Sequence, residues 1–174
     1  RPIYTPPAWA KLPTAVSTAI VDDDVDFRFK MLSALHFSNA GGVYLAEALT
    51  NDFVPIGTIV VLKEARPYAG LDANGADALT RLAHEEKVLK SLQELNCIPR
   101  LYGSFTAWEH RYLVMEYIKG HDLTREWMTR TPILRPAPWN LNDSSYLQWL
   151  VSTVSLLDEA LESVHKAGWL LGDI

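Results

Sequence analysis

The chain has 174 residues, 48% of them apolar, with 16 Lys and Arg against 21 Asp and Glu and a formal net charge of -5. That apolar share builds a sizeable core, while scattered cations on a negative chain exclude a nucleic-acid partner held by a general positive field, and the single cysteine, Cys97, excludes an internal disulfide and any cysteine-based zinc set. No apolar run approaches the roughly 20 residues of a membrane span, and the first residues lack the apolar stretch of a signal peptide, so the expectation is a cytoplasmic protein with no membrane partner.

Residues 1–26 carry Pro2, Pro6, Pro7 and Pro13 and then the run Asp22-Asp23-Asp24, the composition of an extended linker from an upstream domain. From residue 27 the pattern changes to short apolar, β-branched runs punctuated by Gly, Asn and Asp. It predicts five strands, at residues 27–37, 43–49, 58–62, 101–105 and 111–116. The turn residues between them predict antiparallel hairpins. A helix is expected over 75–96, between the third and fourth strands, and a short one over 123–129. Residues 131–142, with Pro132, Pro136 and Pro138, read as irregular. Over 144–167 the residues Leu147, Leu150, Val151, Val154, Leu157, Leu161 and Val164 keep helical spacing until Gly168 stops the helix. Such an apolar face needs a partner surface. The predicted class is α+β: a five-stranded antiparallel sheet with one helix, followed by a mostly helical part.

Several residues stand out against this frame. Lys63 ends the apolar run Val60-Val61-Leu62, an unfavourable place for an ammonium unless it meets phosphate or carboxylate; its bland alternative is snorkelling to water. Glu85 falls on the apolar stripe formed by Ala78, Leu82, Leu89 and Leu92, and a carboxylate there must be paired. Glu86 is expected one step around, toward solvent, so Glu85 is the preferred partner of Lys63, 22 positions earlier. Gly41 and Gly42 sit in the turn between the first two strands, where backbone amides can approach phosphate oxygens, although Gly-Gly is also an ordinary hairpin turn. Val43 and Val61 are candidates for sandwiching a base, against plain sheet packing. Met115-Glu116-Tyr117-Ile118 leads from a buried strand through Gly120 into a short helix. Its main-chain groups at Glu116 and Ile118 can read an adenine edge, and Asp122 either accepts from a ribose hydroxyl or caps the helix. Asp173 follows a helix, a glycine stop and the apolar Trp169-Leu170-Leu171, where a carboxylate can take the proton of an attacking hydroxyl. His165 is given no chemistry, and His84, His110 and His121 have no metal-ligand spacing, so no metal site is assigned.

In order and approximate spacing this set resembles a protein kinase. It departs from that pattern at residues 38, 171 and 172: Ser38 replaces a glycine of the phosphate loop, and Leu171-Gly172 precede Asp173 where many kinases have His-Arg. The stretches 33–46 and 60–72, with Arg81-Leu82-Ala83-His84-Glu85, are more specific. They resemble the kinase domain of class III lanthipeptide synthetases over residues 27–173, with 27–118 as the N-lobe and 119–174 as the hinge exit and the start of the C-lobe. That resemblance implies catalytic roles for Lys63, Glu85 and Asp173. It also implies binding of ATP or GTP with Mg2+ by Gly41, Gly42, Val43, Val61, Lys63, Met115, Glu116, Ile118 and Asp122, with the metal ligands beyond Asp173. The implied reaction is phosphorylation of Ser and Thr hydroxyls of a precursor peptide, and the implied partners are that peptide and the lyase and cyclase domains of the same parent protein. Two rival readings keep the fold: a small-molecule phosphotransferase, for which Gly172 before Asp173 is the cue, and a non-catalytic binding scaffold.

Overall fold

The computed structural model describes residues 28–73, 75–131 and 144–170. The predicted linker, most of the irregular stretch and Asp173 lie outside them. The described elements are β1 (Phe29–Ser38), β2 (Gly41–Ala48), β3 (Ile59–Ala65), α1 (Ala78–Ser91), β4 (Leu101–Ala107), β5 (His110–Glu116), α2 (Leu123–Arg130) and α3 (Ser144–Lys166). The strands form one antiparallel sheet in the order β1-β2-β3-β5-β4. All five predicted strands are present, and α1 crosses between β3 and β4 as expected. This is the α+β arrangement of a kinase-like N-lobe, with α2 and α3 as the start of a helical C-lobe.

Strand alternation divides the sheet into two cores. Val60 and Leu62 of β3 pack with Ala46, Ala48, Val54 and Val114 on one face. On the other, Ala65 and Leu113 pack with Leu101 and with Ala78 and Leu82 of α1. Because Lys63 alternates with Leu62 and shares the face of Ala65, the period of two alone places it beneath α1. Glu64 is sent to the opposite face.

Element bounds differ from the sequence expectation where specific groups decide them. The β1–β2 turn is the two-residue Asn39-Ala40, closed by the Ser38 and Gly41 pair, so β2 starts two residues earlier than predicted. β3 runs on past Leu62 to Ala65, because β5 pairs with it as far as Arg111; Lys63 therefore lies inside its strand and not at its end. Helix α1 begins only at Ala78, where the Asp77 carboxylate accepts from the Thr80 amide at 2.9 Å. It ends five residues before the predicted limit, with the Leu92 amide donating back to Val88 and Leu89 carbonyls. Gly168, at φ +84°, follows α3 as a C-terminal glycine should. Along α3, Leu147, Val151, Val154 and Leu157 are exposed and Val164 is buried.

The division into a packed sheet and an open helix face makes a measurable contrast. Leu62→Ala, at a fully buried position, is expected to cost about 2–5 kcal/mol, whereas Leu147→Ala, at 60% exposure, should stay within about 0.5 kcal/mol. Denaturant midpoints of the two variants check this.

Candidate functional site

The central feature is an ion pair. Lys63 Nζ of β3 lies 2.7 Å from both carboxylate oxygens of Glu85 on α1, with each side chain about one-third exposed. The structure thus brings together the two residues the sequence nominated, but by a different route from the one expected. Glu86, not Glu85, is the buried member of the helix stripe, in line with Ala78 and Leu82 at steps of four. Its carboxylate accepts from Ser104 at 2.9 Å, pairs with Lys90 at 2.7 Å and pairs with Arg111. The expectation that Glu86 points to solvent is corrected by its burial and by Ser104 and Arg111, which lie on β4 and β5 and could not be counted from helix periodicity. Glu85 sits at the edge of the stripe, where its carboxylate meets Lys63 of the central strand.

The pair stands in an open cleft of about 440 Å3, lined by the β1–β2 hairpin at Ser38, Gly41 and Gly42, by Val43 and Lys63 on the strands, and by Arg81 and Glu85 on α1. Gly41 and Gly42 begin β2 instead of forming the turn, and both are buried. Their missing side chains already have internal uses: a Cβ on Gly41 would collide with the Glu64 carbonyl, and one on Gly42 with the Tyr44 ring. The Ala40 carbonyl also accepts from the Arg66 amide at 2.9 Å, folding the hairpin tip over the end of β3.

Behind the hairpin, on the far face of the sheet, the Glu64 side chain is the common partner of four residues. Tyr44 donates to it at 2.7 Å, His110 Nδ1 lies 2.6 Å away, and Arg66 and Tyr112 stand at 3.3 and 3.5 Å. Burial raises the Glu64 carboxyl, but the hydrogen bonds from Tyr44 and Arg66 outweigh it and leave the group below its ordinary value. Burial and the Glu64 charge together push the Tyr112 phenol up to about 12. Sequence reasoning missed this network and Arg81. The available signal for Glu64 was its place in alternation with Val60 and Leu62, which marks an inward-facing carboxylate.

Of the remaining nominated residues, Val43, Val61 and Met115 share the sheet face of Lys63. Val43 pairs in register with Lys63, and Val61 is flanked by Leu45 and Met115, so an apolar row crosses three strands beside the ion pair. The Glu116 amide donates to the Arg100 carbonyl at 2.8 Å, which commits that donor; for Glu116 the nomination narrows to its carbonyl. Ile118 is 62% exposed just past the strand. Asp122 is the N-cap of α2, accepting from the Arg125 amide at 2.8 Å. Among the described residues no group of three or more His, Cys, Asp or Glu could hold a metal ion.

Over 182 aligned residues, 99% of the chain is 36% identical to a probable SapB synthase of Streptomyces coelicolor. A second relative, serine/threonine-protein kinase D of a Synechocystis species, is 31% identical over 98 residues, 55% of the chain. What the fold and both relatives support is a kinase-like region. The chain spans 18% and 19% of the length of these two relatives. No protein-family model matches it.

Two outcomes test the packing around the site. Gly41→Ala forces a methyl group into the Glu64 carbonyl and should destabilise by about 1–3 kcal/mol, seen as a lowered thermal midpoint. For Glu86, burial raises the carboxyl, and the hydrogen bonds of Lys90 and Ser104 with the charge of Arg111 more than reverse it, so its value lies below the ordinary 4.5. A carboxylate depressed in the folded state contributes stability that is complete above the unfolded value and is lost as pH falls through the folded one. Stability should therefore decline as pH drops below about 4.5, and Glu86→Gln should cost about 2 kcal/mol at neutral pH and flatten that acid limb. Denaturant titrations at a series of pH values measure both effects.

Proposed function

We propose that this region phosphorylates Ser and Thr hydroxyls of a precursor peptide, as the kinase part of a class III lanthipeptide synthetase whose other domains eliminate phosphate and cyclise the product. The observation that carries the reading is the two-oxygen Lys63–Glu85 pair, held across a cleft beneath a glycine-bearing hairpin. A lysine fixed this way presents its ammonium at a defined point on an otherwise apolar strand face, which suits the phosphates of a nucleotide. The full-length similarity to a region of a synthase and the shorter similarity to a serine/threonine kinase support the same assignment.

In this mechanism ATP or GTP enters base first, against Val43 and Val61, with Met115 beside Val61 in the sheet. The Glu116 carbonyl and the Ile118 main chain address the base edge, and Asp122, already a helix cap, accepts from the ribose. Lys63 holds the α- and β-phosphates, Glu85 keeps Lys63 in position, and the Gly41-Gly42 strand start covers the phosphates. Asp173 orients the peptide hydroxyl and takes its proton as the γ-phosphoryl group passes to the oxygen. Mg2+ bound to the nucleotide would neutralise phosphate charge; the described residues offer it no ligand set. The formed Lys63–Glu85 pair weighs against a purely non-catalytic scaffold, which has no use for an aligned ammonium.

The test uses the full-length synthetase. Lys63→Ala and Asp173→Asn should each lower precursor-peptide phosphorylation by about a hundredfold or more, while a chemically phosphorylated peptide is still converted by elimination. Mass spectrometry follows both reactions. Phosphorylation at the wild-type rate in either variant would remove that residue from the mechanism.

A further inference from the structure

Arg81 lies one helical turn before Glu85 on α1 and lines the same cleft as Lys63. Among the lining residues it is the one permanently charged cation besides Lys63. Its guanidinium reaches the tip of the β1–β2 hairpin: a methyl carbon on Gly70 would stand 2.6 Å from Arg81 Nη2 and 2.8 Å from the Ala40 Cβ. The bare glycine at 70 leaves the space in which the guanidinium sits.

The nearby carboxylates have other partners. Both oxygens of Glu85 meet Lys63, Glu64 is held on the far face by Tyr44, His110 and Arg66, and Asp77 caps its own helix. None of the ion pairs among the described residues includes Arg81. A planar fork of donors with no carboxylate of its own, on a residue that lines a cleft, is suited to two-point binding of an oxyanion.

The register of the sheet says where along a ligand that oxyanion would fall. Val61 pairs with Met115, Lys63 lies two residues further along β3, and the hairpin tip is bonded at Arg66, where the Ala40 carbonyl accepts. At roughly 3.3 Å per residue, a ligand whose base lies at Val61 would pass Lys63 and reach the tip after about 17 Å. Lys63 is also largely neutralised by Glu85, so a polyphosphate lying beyond it needs another cation.

We infer that Arg81 binds the terminal phosphate of the nucleotide and sets the preference of the cleft for a triphosphate over a diphosphate. This rests on the nucleotide-site reading above. The experiment uses the full-length protein, its Arg81→Gln and Arg81→Lys variants, and calorimetric titration with whichever of ATP and GTP it binds, the matching diphosphate and the nucleoside. Arg81→Gln should weaken triphosphate binding about tenfold and leave diphosphate and nucleoside within about twofold, and Arg81→Lys should recover part of the loss. Equal losses for all three ligands would mean that Arg81 only braces the helix against the hairpin, and unchanged triphosphate affinity would mean that it does not touch the ligand. Either result overturns the inference while leaving the nucleotide site standing. A wild-type protein that binds none of the three ligands would instead overturn the nucleotide site itself, and this inference with it.

Discussion

Strand β3 carries Lys63 and Glu64 side by side in the middle of a five-stranded sheet, and each charge has to be satisfied on its own face. An unpaired charge in such a place costs several kcal/mol, so the surroundings are built to supply partners. On one face α1 brings Glu85 to Lys63; on the other, Tyr44, Arg66, His110 and Tyr112 close around Glu64. The same adjacent pair therefore anchors the helix to the front of the sheet and the β1–β2 hairpin to its back. Tyr44 is central to the second task, since its phenol crosses above Gly42 to reach Glu64.

Helix α1 is held by two consecutive carboxylates with different duties. Glu86 is buried and tied to β4 and β5 through Ser104 and Arg111, which fixes the rotation of the helix. With that rotation set, Glu85, the next residue round the helix, meets Lys63 on the sheet face beneath it. The buried member thus positions the exposed one, and the pair in the cleft depends on a contact outside it. The hairpin obeys a similar logic, because Gly41 lets the β2 backbone approach the Glu64 carbonyl closely enough for the tip to fold over β3. The rigid parts of the cleft are therefore its lysine and its roof, and both are held from behind.

Helix α3 contrasts with this. Its apolar stripe, with Leu147, Val151, Val154 and Leu157, is open along most of its length, whereas the central strands and α1 bury Val60, Leu62, Leu113, Val114, Ala78 and Leu82. The described parts of the chain thus combine a packed sheet-and-helix core with a helix that still presents an apolar face.

Much of this architecture could be read directly from the order of residues. Strand alternation, helical spacing and turn residues are local signals, and they were sufficient for the five strands, for α1, α2 and α3, and for the α+β class. They also singled out Lys63 and Glu85, as an ammonium ending an apolar strand and a carboxylate counted on the apolar helix stripe, each of which demands a partner. What local periodicity could not decide was which of Glu85 and Glu86 is buried, since that depends on Ser104 and Arg111, which are 18 and 25 positions from Glu86 in the chain. Nor could it show that Gly41 and Gly42 belong to a strand whose close neighbours are Glu64 and Tyr44, or that Arg81 faces the cleft. Those are consequences of which surfaces meet when the sheet closes on the helix, and only the tertiary structure brings such distant groups to within a bond length of choosing between them.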